Sequence, residues 1–304
     1  MSVPKVTAIV VSYNARDVLR RCLGALDATR HEVIVVDNAS EDGSPELVRQ
    51  EFPDAALIEA GANLGFGAAN NLAMRQARGA YFALINSDAW AIGDGLDSLV
   101  RFAASDPSAG IVGPRLVGED GTVQKSVRSF PTVWRICTEY FFLRKLAPSS
   151  RALNAFYGAG FDYGSVRESD WLMGAALVVR RELIDEIGGF DERFFLFSEE
   201  VDLCFRANQA GWKTVYTPSA TFVHLGGAST GPRWSRMYRE QLRGHVLFLE
   251  KHSGAETAER ARRWLVRALR LRARVFPGER GRTYAEAASW LGSRSVGALL
   301  ESSA

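Results

Sequence analysis

Short apolar runs that alternate with helical segments are the feature that most constrains how this chain can fold. Each run is rich in β-branched or aromatic side chains, which predicts buried strands. The intervening segments carry apolar residues at helical spacing. We predict strands over residues 5–11, 32–36, 56–59 and 81–85, and helices over 16–26, from 44 onward and over 67–77. The alternation predicts an α/β fold with a parallel sheet covered by helices.

Beyond residue 110 the alternation becomes irregular. The segment 131–146 (PTVWRICTEYFFLRKL) mixes aromatic and basic residues, which predicts a core helix, with an exposed lipid-contacting helix as the alternative. Further elements are predicted by the same criteria. They are strands over 171–179, 215–216 and 221–224, helices over 181–187 and 199–210, and a helical basic segment from 234 onward.

Polar segments follow the first four predicted strands. These segments are 12–14 (SYN), 37–38 (DN), 61–67 (GANLGFG) and 86–88 (NSD). In an open sheet of this kind, ligands bind at the carboxyl ends of the strands. The first strand is followed by SYNAR, which lacks the glycine-rich turn of a dinucleotide-binding enzyme, and the GxxxxGK[ST] and GxSxG patterns are absent. These absences argue against nicotinamide or flavin enzymes, P-loop enzymes and serine hydrolases.

Two aspartates end predicted strands where a nucleotide would bind. A carboxylate at Asp37 can accept the imide hydrogen of a pyrimidine base, while Asn38 reaches toward the ribose. The alternative is an Asp-Asn turn that precedes the next helix. Asp88 offers the hard oxygen ligand that Mg²⁺ or Mn²⁺ prefers when the cation bridges a diphosphate.

An acidic cluster of Glu199, Glu200 and Asp202 directly follows the aromatic run 194–197 (FFLF). Carboxylates crowded beside apolar rings are expected to include one with a raised pKa, as a general base near neutral pH requires. The alternative is a charged first helical turn that the helix dipole favours. His224 ends a predicted strand, where a histidine serves either the packing or a ligand.

Cysteine content and apolar run length limit the class of protein. Cys22, Cys137 and Cys204 are the three cysteines of the 304-residue chain and share no CxxC spacing. Neither a disulfide framework nor a zinc site is therefore predicted. No apolar stretch approaches the ~18 residues of a membrane span, and the first apolar run is too short for a signal peptide. We expect a cytoplasmic protein.

Charge is distributed unevenly along the chain. The net charge of +2 divides into −6 over residues 1–232, +9 over 233–282 and −1 over 283–304. Within the basic part, residues 260–274 (RARRWLVRALRLRAR) place apolar residues at helical spacing among arginines. Such a helix can lie peripherally on an anionic membrane. Alternatively, it packs on its own domain or on a second subunit of a homo-oligomer. No nucleic-acid motif accompanies the charge, so no nucleic-acid partner is predicted.

Several of these motifs occur in the order seen in inverting family 2 glycosyltransferases of the GT-A fold. They are 11–14 (VSYN), 35–43 (VVDNASEDG), 63–67 (NLGFG) with 70–71 (NN), 86–88 (NSD), 171–181 (WLMGAALVVRR), 188–195 (GGFDERFF), 199–206 (EEVDLCFR) and His224. Over about residues 5–230 the chain resembles the bacterial rhamnosyltransferase branch of that family. The resemblance implies a Rossmann-like, mostly parallel central sheet flanked by helices, with a C-terminal helical basic extension.

The domain limits follow from the extent of the resemblance. Residues 1–230 would form the glycosyltransferase domain, with a nucleotide-binding half over about 1–110 and an acceptor-binding half over 111–230. Residues 231–304 would form the helical extension.

The resemblance also implies roles for individual residues. Tyr13 and Asp37 would hold the nucleobase, and the loop 63–67 would shape the nucleotide pocket. Asp88 would be the last acidic residue of the family's DxD-type motif, here NSD, and His224 would be a further ligand of Mg²⁺ or Mn²⁺. The full predicted donor-binding set is Ser12, Tyr13, Asn14, Asp37, Asn38, Asn63, Gly65, Phe66, Asn70, Ser87 and Asp88.

The acidic cluster takes the catalytic role in this resemblance. Glu200 falls where the family's base is expected, but the family usually has an aspartate there, so adjacent Glu199 is a competitor. Trp171, Gly174 and Asp202 are predicted to contact the acceptor.

The implied activity is inverting transfer of a sugar from a nucleotide diphosphate donor to a hydroxyl of a glycan or a polyprenyl-linked saccharide in cell-envelope synthesis. Rhamnose from dTDP-rhamnose is the predicted donor, with a UDP-hexose as the alternative because uracil would pair with Asp37 equally well. A nucleotide-sugar-binding protein without turnover is the alternative from a different class. A sugar nucleotidyltransferase ranks third because SYNAR lacks the glycines it needs.

Overall fold

The computed structural model describes residues 5–147, 150–154, 156, 158, 160–226 and 234–301. The chain forms two compact units and passes between them several times. The sheet unit comprises residues 1–127, 162–192 and 200–231, and the helical unit comprises 128–161, 193–199 and 232–304. The predicted domain boundary at 230 lies outside the described residues and stays a prediction.

The sheet unit contains the strands β1 (Val6–Ser12), β2 (Glu32–Asp37), β3 (Ala56–Glu59), β4 (Tyr81–Asn86), β5 (Ala89–Ala91), β6 (Ala109–Val117), β8 (Arg167–Glu168), β9 (Trp171–Leu172), β10 (Ala176–Arg180) and β11 (Lys213–His224), with β7 (Val127–Arg128) at its limit. Its helices are α1 (Arg16–Gly24), α2 (Ser44–Glu51), α3 (Phe66–Met74), α4 (Gly95–Ser105), α7 (Arg181–Ile187) and α8 (Glu199–Gln209), the last of which starts one residue before the unit.

Nine of the described strands form one sheet. Its order is β3-β2-β1-β4-β10-β6-β11-β5, and β8 pairs with β11. The strands β3, β2, β1 and β4 are all parallel, as the alternation predicted. β10 runs antiparallel between β4 and β6. The α/β class with helices around a central sheet is confirmed.

The register of the parallel strands brings the polar strand ends to one edge. Ser12 of β1 lies opposite Asp37 of β2, and Val11 lies opposite Asn86 of β4. The middle of β1 is completely buried, as in a strand covered on both faces.

Several local predictions were wrong. The strand predicted over 171–179 is two strands, β9 and β10, which lie in different sheets. The helix predicted over 131–146 ends at Tyr140. The strands predicted over 215–216 and 221–224 are one strand, β11, whose register against β6 shifts between Thr217 and Thr221. The bulge absorbs Pro218, which cannot donate to a strand ladder and which made the sequence read as a break. The helix predicted over 67–77 ends earlier, as α3, and the strands β5 and β6 were not predicted.

The helical unit contains α5 (Val133–Tyr140), α6 (Arg151–Asn154), α9 (Trp234–Ser253), α10 (Ala255–Val275), α11 (Gly278–Gly292) and α12 (Val296–Glu301), and a short 3₁₀ turn at Leu143–Lys145. α5 buries Ile136 and Tyr140, as a core helix does, and leaves Trp134 exposed. α10 packs against α5, α9 and α11. No helix among the described residues has both the length and the apolar composition that a bilayer crossing requires.

Candidate active site

The carboxyl ends of β1 and β2 hold two buried polar groups. Ser12 and Asp37 are buried side by side. One Asp37 oxygen, Oδ2, accepts a hydrogen bond from the Ser40 backbone N–H at 2.9 Å. Ser12 Oγ and Asp37 Oδ1 have no hydrogen-bond partner among the described residues. Buried polar atoms are normally paired, so these two atoms mark a place for a ligand or water.

The next wall of the site is the loop before α3. The Asn38 amide donates to the Gly65 carbonyl at 3.1 Å, and Asn63 Oδ1 accepts from the Gly65 N–H at 3.0 Å. Gly65 has a φ of 82°, a left-handed conformation that favours glycine. Asn70 donates to the Phe66 carbonyl at 2.9 Å, while its buried Oδ1 has no partner in the part of the chain described. Helix α3, which packs against β1 and β2, therefore carries a third buried oxygen without a partner among the described residues.

The residues after β1 tie two loops together. Asn14 has a positive φ of 49°, and its N–H donates to Ser40 Oγ at 2.9 Å. Its side-chain oxygen accepts from the Glu41 N–H at 2.8 Å. Tyr13 is half-buried beside it. Asn14 thus holds the loop between β2 and α2 against the segment that follows β1.

Asp88 and His224 meet at the other end of the same edge. Ser87 and Asp88 are buried between β4 and β5, and β5 pairs with the end of β11 that carries His224. Asp88 Oδ1 lies 3.6 Å from His224 Nε2. The two residues are 136 positions apart in sequence. The structure therefore brings together the two side chains predicted to bind the metal.

Gln124 indicates which nitrogen of His224 carries the hydrogen. The Gln124 side-chain amide donates to the His224 carbonyl at 2.7 Å, so its Oε1 faces His224 Nδ1, at 2.9 Å. Nδ1 must then carry the hydrogen, which leaves the lone pair of neutral imidazole on Nε2. Burial lowers the pKa of His224 and favours this neutral form, although the Asp88 charge acts in the opposite direction. Asp88 Oδ1 and His224 Nε2 are thus two acceptors that face each other, and a cation or a proton between them would bind to both.

Thiol chemistry does not contribute to this pair. Cys22 is buried beneath the loop and its Sγ lies 3.6 Å from the Asn86 carbonyl. Burial, reinforced by the Asp88 charge, raises the pKa of the Cys22 thiol far above its usual range. No group of three or more His, Cys, Asp or Glu side chains in the described residues could hold a metal. Among the His, Cys, Asp and Glu side chains of the described residues, Asp88 and His224 are therefore the candidate ligands for a cation at this edge.

Glu199 and Glu200 begin α8 but lie in different surroundings. Glu199 is buried, with 4% of its surface exposed. Glu200 is half-buried, and a Cβ placed on Gly174 would lie 3.6 Å from its Cβ and Cγ. Gly174, predicted to contact the acceptor, therefore leaves space directly beside the Glu200 side chain. The greater exposure of Glu200 favours it over Glu199 as the base, with Oε1 as the reacting atom because Oε2 is buried.

The backbone before α8 is strained. Phe197 and Ser198 both have positive φ, 67° and 73°, although neither is glycine. Within the helical unit, α9 approaches this pair through Gly244, where a Cβ would lie 2.7 Å from Ser198 Oγ and 2.9 Å from the Phe197 carbonyl oxygen. Strained backbone of this kind persists where packing holds it, often next to functional residues.

The other two predicted acceptor residues are buried. Trp171 lies in β9. Asp202 is fully buried, and its Oδ2 accepts from Arg206 Nε at 2.8 Å. Arg206 in turn donates to the Ile187 and Gly189 carbonyls, at 3.0 and 2.7 Å. Asp202 therefore orients Arg206 against the loop after α7, and its contact with an acceptor stays a prediction.

Asn71 and Gln124 make contacts that the sequence did not predict. The Asn71 side chain both accepts from the Phe190 N–H at 2.8 Å and donates to the Phe190 carbonyl at 2.9 Å. A Cβ on Gly189 would lie only 2.2 Å from Asn71 Oδ1, so glycine is required there. Asn71 stands in the predicted NN motif, whereas Gln124 lies 100 residues from His224 with no local signal.

Comparison with known proteins identifies the family. Residues 7–168, just over half of the chain, match the family described as glycosyl transferase family 2. An N-acetylglucosaminyl-diphospho-decaprenol L-rhamnosyltransferase of Mycobacterium tuberculosis is 33% identical over 262 residues, which are 81% of this chain and 84% of that protein. Rhamnosyltransferase WbbL of Escherichia coli is 24% identical over 252 residues, 80% of this chain and 92% of that one.

Solved structures agree on the fold. A mannosyltransferase of Pyrobaculum calidifontis, solved with GDP-Man and Mn²⁺, has a TM-score of 0.55 at 19% identity and covers 96% of this chain and 86% of its own. GalNAc-T7, solved with UDP, GalNAc and Mn²⁺, has a TM-score of 0.59 at 14% identity over 99% of this chain and 57% of its own. The match to the family, the sequences of the relatives and the shared fold lead to one conclusion. The chain belongs to glycosyltransferase family 2 and to its rhamnosyltransferase branch.

Proposed function

We propose that this glycosyltransferase moves rhamnose from dTDP-rhamnose to a hydroxyl of a polyprenyl-linked saccharide, with inversion at the sugar carbon. The observation that carries the transfer reaction is the single sheet edge that holds the unsatisfied Ser12 and Asp37 oxygens together with the Asp88–His224 pair. The sugar and the acceptor are taken from the mycobacterial relative, which corresponds to this chain over most of both lengths.

Asp37 would read the base. Its free Oδ1 can accept the imide N–H of thymine, and a carboxylate buried at this depth gains most from a partner that brings a hydrogen. Uracil presents the same N–H, so this contact does not separate dTDP from UDP donors. A UDP-hexose donor is therefore the alternative.

Asp88 and His224 would hold Mg²⁺ or Mn²⁺. Such ions are commonly bound through one or two protein ligands plus the phosphates of the substrate, so a carboxylate and a neutral imidazole facing each other fit the ion. When bound, the ion stabilises the negative charge that develops on the leaving diphosphate.

Glu200 would act as the general base. Its carboxylate takes the proton of the acceptor hydroxyl as that oxygen attacks the anomeric carbon. The bond from that carbon to the diphosphate breaks, and dTDP leaves with the electron pair. A single displacement of this kind inverts the configuration. Trp171 and Gly174 would border the acceptor near Glu200.

Gln124 supports the metal site through His224, which gives a direct test. Gln124→Met removes the acceptor for Nδ1–H and is expected to weaken Mn²⁺ binding in the presence of dTDP by ~10–100-fold, the usual effect of losing a group that orients a metal ligand. Free Mn²⁺ measured by electron paramagnetic resonance reports the affinity. Nitrogen NMR of His224 should show the Nδ1–H tautomer in the wild-type protein and a mixture in the variant.

Gln124→Glu is the comparison variant, because its carboxylate still accepts from Nδ1–H although, like Gln124→Met, it loses the amide donor to the His224 carbonyl. It should retain more Mn²⁺ affinity than Gln124→Met. Equal affinity in the wild type and Gln124→Met would show that Gln124 serves only the packing.

We also propose that the protein works at the inner face of the plasma membrane, peripherally bound. A polyprenyl-linked acceptor is anchored in the bilayer, so transfer requires the catalytic site to approach that surface.

The transfer reaction is tested with defined substrates. The full chain with Mn²⁺ and a polyprenyl-diphospho-N-acetylglucosamine acceptor should form a rhamnosylated product from dTDP-rhamnose faster than a hexosylated product from UDP-glucose or UDP-galactose, as measured by mass spectrometry. Proton NMR of the product should show the inverted anomer. Faster use of a UDP donor would overturn the sugar assignment, and tight donor binding without product or hydrolysis would favour a binding protein.

A further inference from the structure

Within the helical unit, one face of α10 is exposed from Arg260 to the end of the helix at Val275. The exposed residues recur every three or four positions, which places them on one stripe of the helix, ~21 Å long between the first and last arginine. Five are arginines and three are large apolar residues. The stripe consists of Arg260, Arg263, Trp264, Arg267, Arg270, Leu271, Arg274 and Val275.

The opposite face of α10 already has its partners. Leu265 and Leu269 are fully buried. Arg262 donates to the Leu291 carbonyl at 3.0 Å. Arg272 donates to the carbonyl of Tyr140 at 2.8 Å. The packing alternative from the sequence therefore accounts for this inner face. Within the stripe, it accounts only for Arg263, which donates to Glu259 at 2.8 Å, and for part of Trp264, which contacts Phe141.

The stripe also borders a groove against α11. The groove has a volume of about 330 Å³ and is lined by Arg270, Ala273 and Arg274 of α10 and by Ala285, Ala288 and Ser289 of α11. Two guanidinium groups beside a hydroxyl and small side chains suit a phosphate group, because arginine forms paired hydrogen bonds with phosphate oxygens.

The apolar members of the stripe are arranged for a lipid interface. Trp264 and Leu271 are each 39% exposed and Val275 is 56% exposed. The Trp264 ring packs edge-on against Phe141 at 5.9 Å, and the Arg267 guanidinium lies 4.7 Å from the Trp264 ring centre. Tryptophan rings and the stems of arginines settle at the boundary between headgroups and acyl chains.

We propose that the α10 stripe is the surface by which the protein binds an anionic phospholipid bilayer, and that the groove beside Arg270 and Arg274 receives a lipid phosphate. The proposal rests on the proposed membrane location and names the surface responsible for it. Bilayer binding requires both components of the stripe, since arginines supply the attraction and the apolar residues enter the interface. Leu271 and Val275 would contribute little to a nucleic acid, which favours lipid as the partner.

Vesicle binding tests the proposal with the full chain. The protein should co-sediment with vesicles of phosphatidylcholine and phosphatidylglycerol at low salt, bind less at high salt, and bind little to phosphatidylcholine alone. Arg270→Gln combined with Arg274→Gln should weaken partitioning roughly 30-fold, as expected for the loss of two basic contacts. Trp264→Ser combined with Leu271→Ser should also weaken it while preserving the charge.

The matched control is Arg75→Gln combined with Arg101→Gln, which removes the same charge from exposed positions of the sheet unit. This pair should bind vesicles nearly as well as the wild type. An equal loss of vesicle binding in both double variants would show that only net charge matters and would overturn the surface assignment. Wild-type binding by the Arg270→Gln/Arg274→Gln variant would also overturn it. So would a wild-type protein that does not bind vesicles.

Two further measurements separate the sources of the signal. Inorganic phosphate and glycerol 3-phosphate are not expected to displace the protein from vesicles at the ionic strength of the buffer; displacement by either would indicate a site for free phosphate rather than a bilayer. Transfer to a water-soluble acceptor analogue should be unchanged in the Arg270/Arg274 pair. A wild type that binds vesicles but does not transfer sugar would count against the enzymatic proposal alone.

Discussion

Glu200→Gln is expected to reduce sugar transfer by ~10²–10⁴-fold, the usual contribution of a general base, while the affinity for the donor stays close to that of the wild type. Glutamine keeps the shape of the side chain beside Gly174 but cannot take the proton of an acceptor hydroxyl. The loss should therefore fall on kcat. Single-turnover rates and donor binding, measured separately by calorimetry, distinguish the two effects.

Glu199→Gln is the internal control for this prediction. Glu199 is more deeply buried than Glu200, so its replacement should act on stability more than on the chemical step. Thermal unfolding measured for both variants identifies such an effect. Near-normal turnover in Glu200→Gln together with a large loss in Glu199→Gln would move the base by one residue.

The parallel half of the fold was predictable because its signals are local. The runs that form β1, β2, β3 and β4 are short and apolar, and parallel pairing brings their carboxyl ends to one edge whatever the details of the loops. The grouping of Ser12, Asp37 and Asn86 follows from that rule.

The remaining strands could not be placed in the same way. β10 inserts antiparallel between β4 and β6, and β5 pairs with β11 across more than 130 residues of chain. Such pairings depend on packing between segments that are far apart in the sequence, and local sequence patterns carry no signal for it. Gln124 was not predicted for the same reason, because it lies 100 residues from His224 in the sequence and its role is visible only from their contact in the structure.

Helical spacing predicted which residues share one face of a helix, but it did not predict which of those faces packs against another element. Asp202 and Arg206 are four residues apart, a spacing that favours an ion pair and could have suggested that Asp202 is engaged. Among the α10 arginines, the sequence does not distinguish Arg272, which donates to the Tyr140 carbonyl, from Arg270, which is exposed. That distinction depends on where α5 and α11 pack.

Asp88→Asn is expected to lower transfer by roughly 10²–10³-fold, because it removes the charged ligand of an ion whose stabilisation of the leaving group is worth several kcal/mol. Asparagine has nearly the same size, and the Asp88 carbonyl still accepts from the Leu225 N–H, so the fold should persist. Free Mn²⁺ in titrations with dTDP should rise in parallel with the lost activity. Excess chelator should inactivate the wild type, and added Mn²⁺ should restore it.

A control carboxylate separates loss of the ligand from loss of charge in general. Asp17, whose side chain is 91% exposed, lies on α1 outside the predicted donor-binding set, and Asp17→Asn should leave both Mn²⁺ affinity and transfer unchanged. If Asp88→Asn kept its Mn²⁺ affinity but lost transfer, the carboxylate would act on the donor directly. Full wild-type activity in excess chelator would exclude a catalytic ion at this edge, and the facing Asp88 and His224 acceptors would then be joined by a proton.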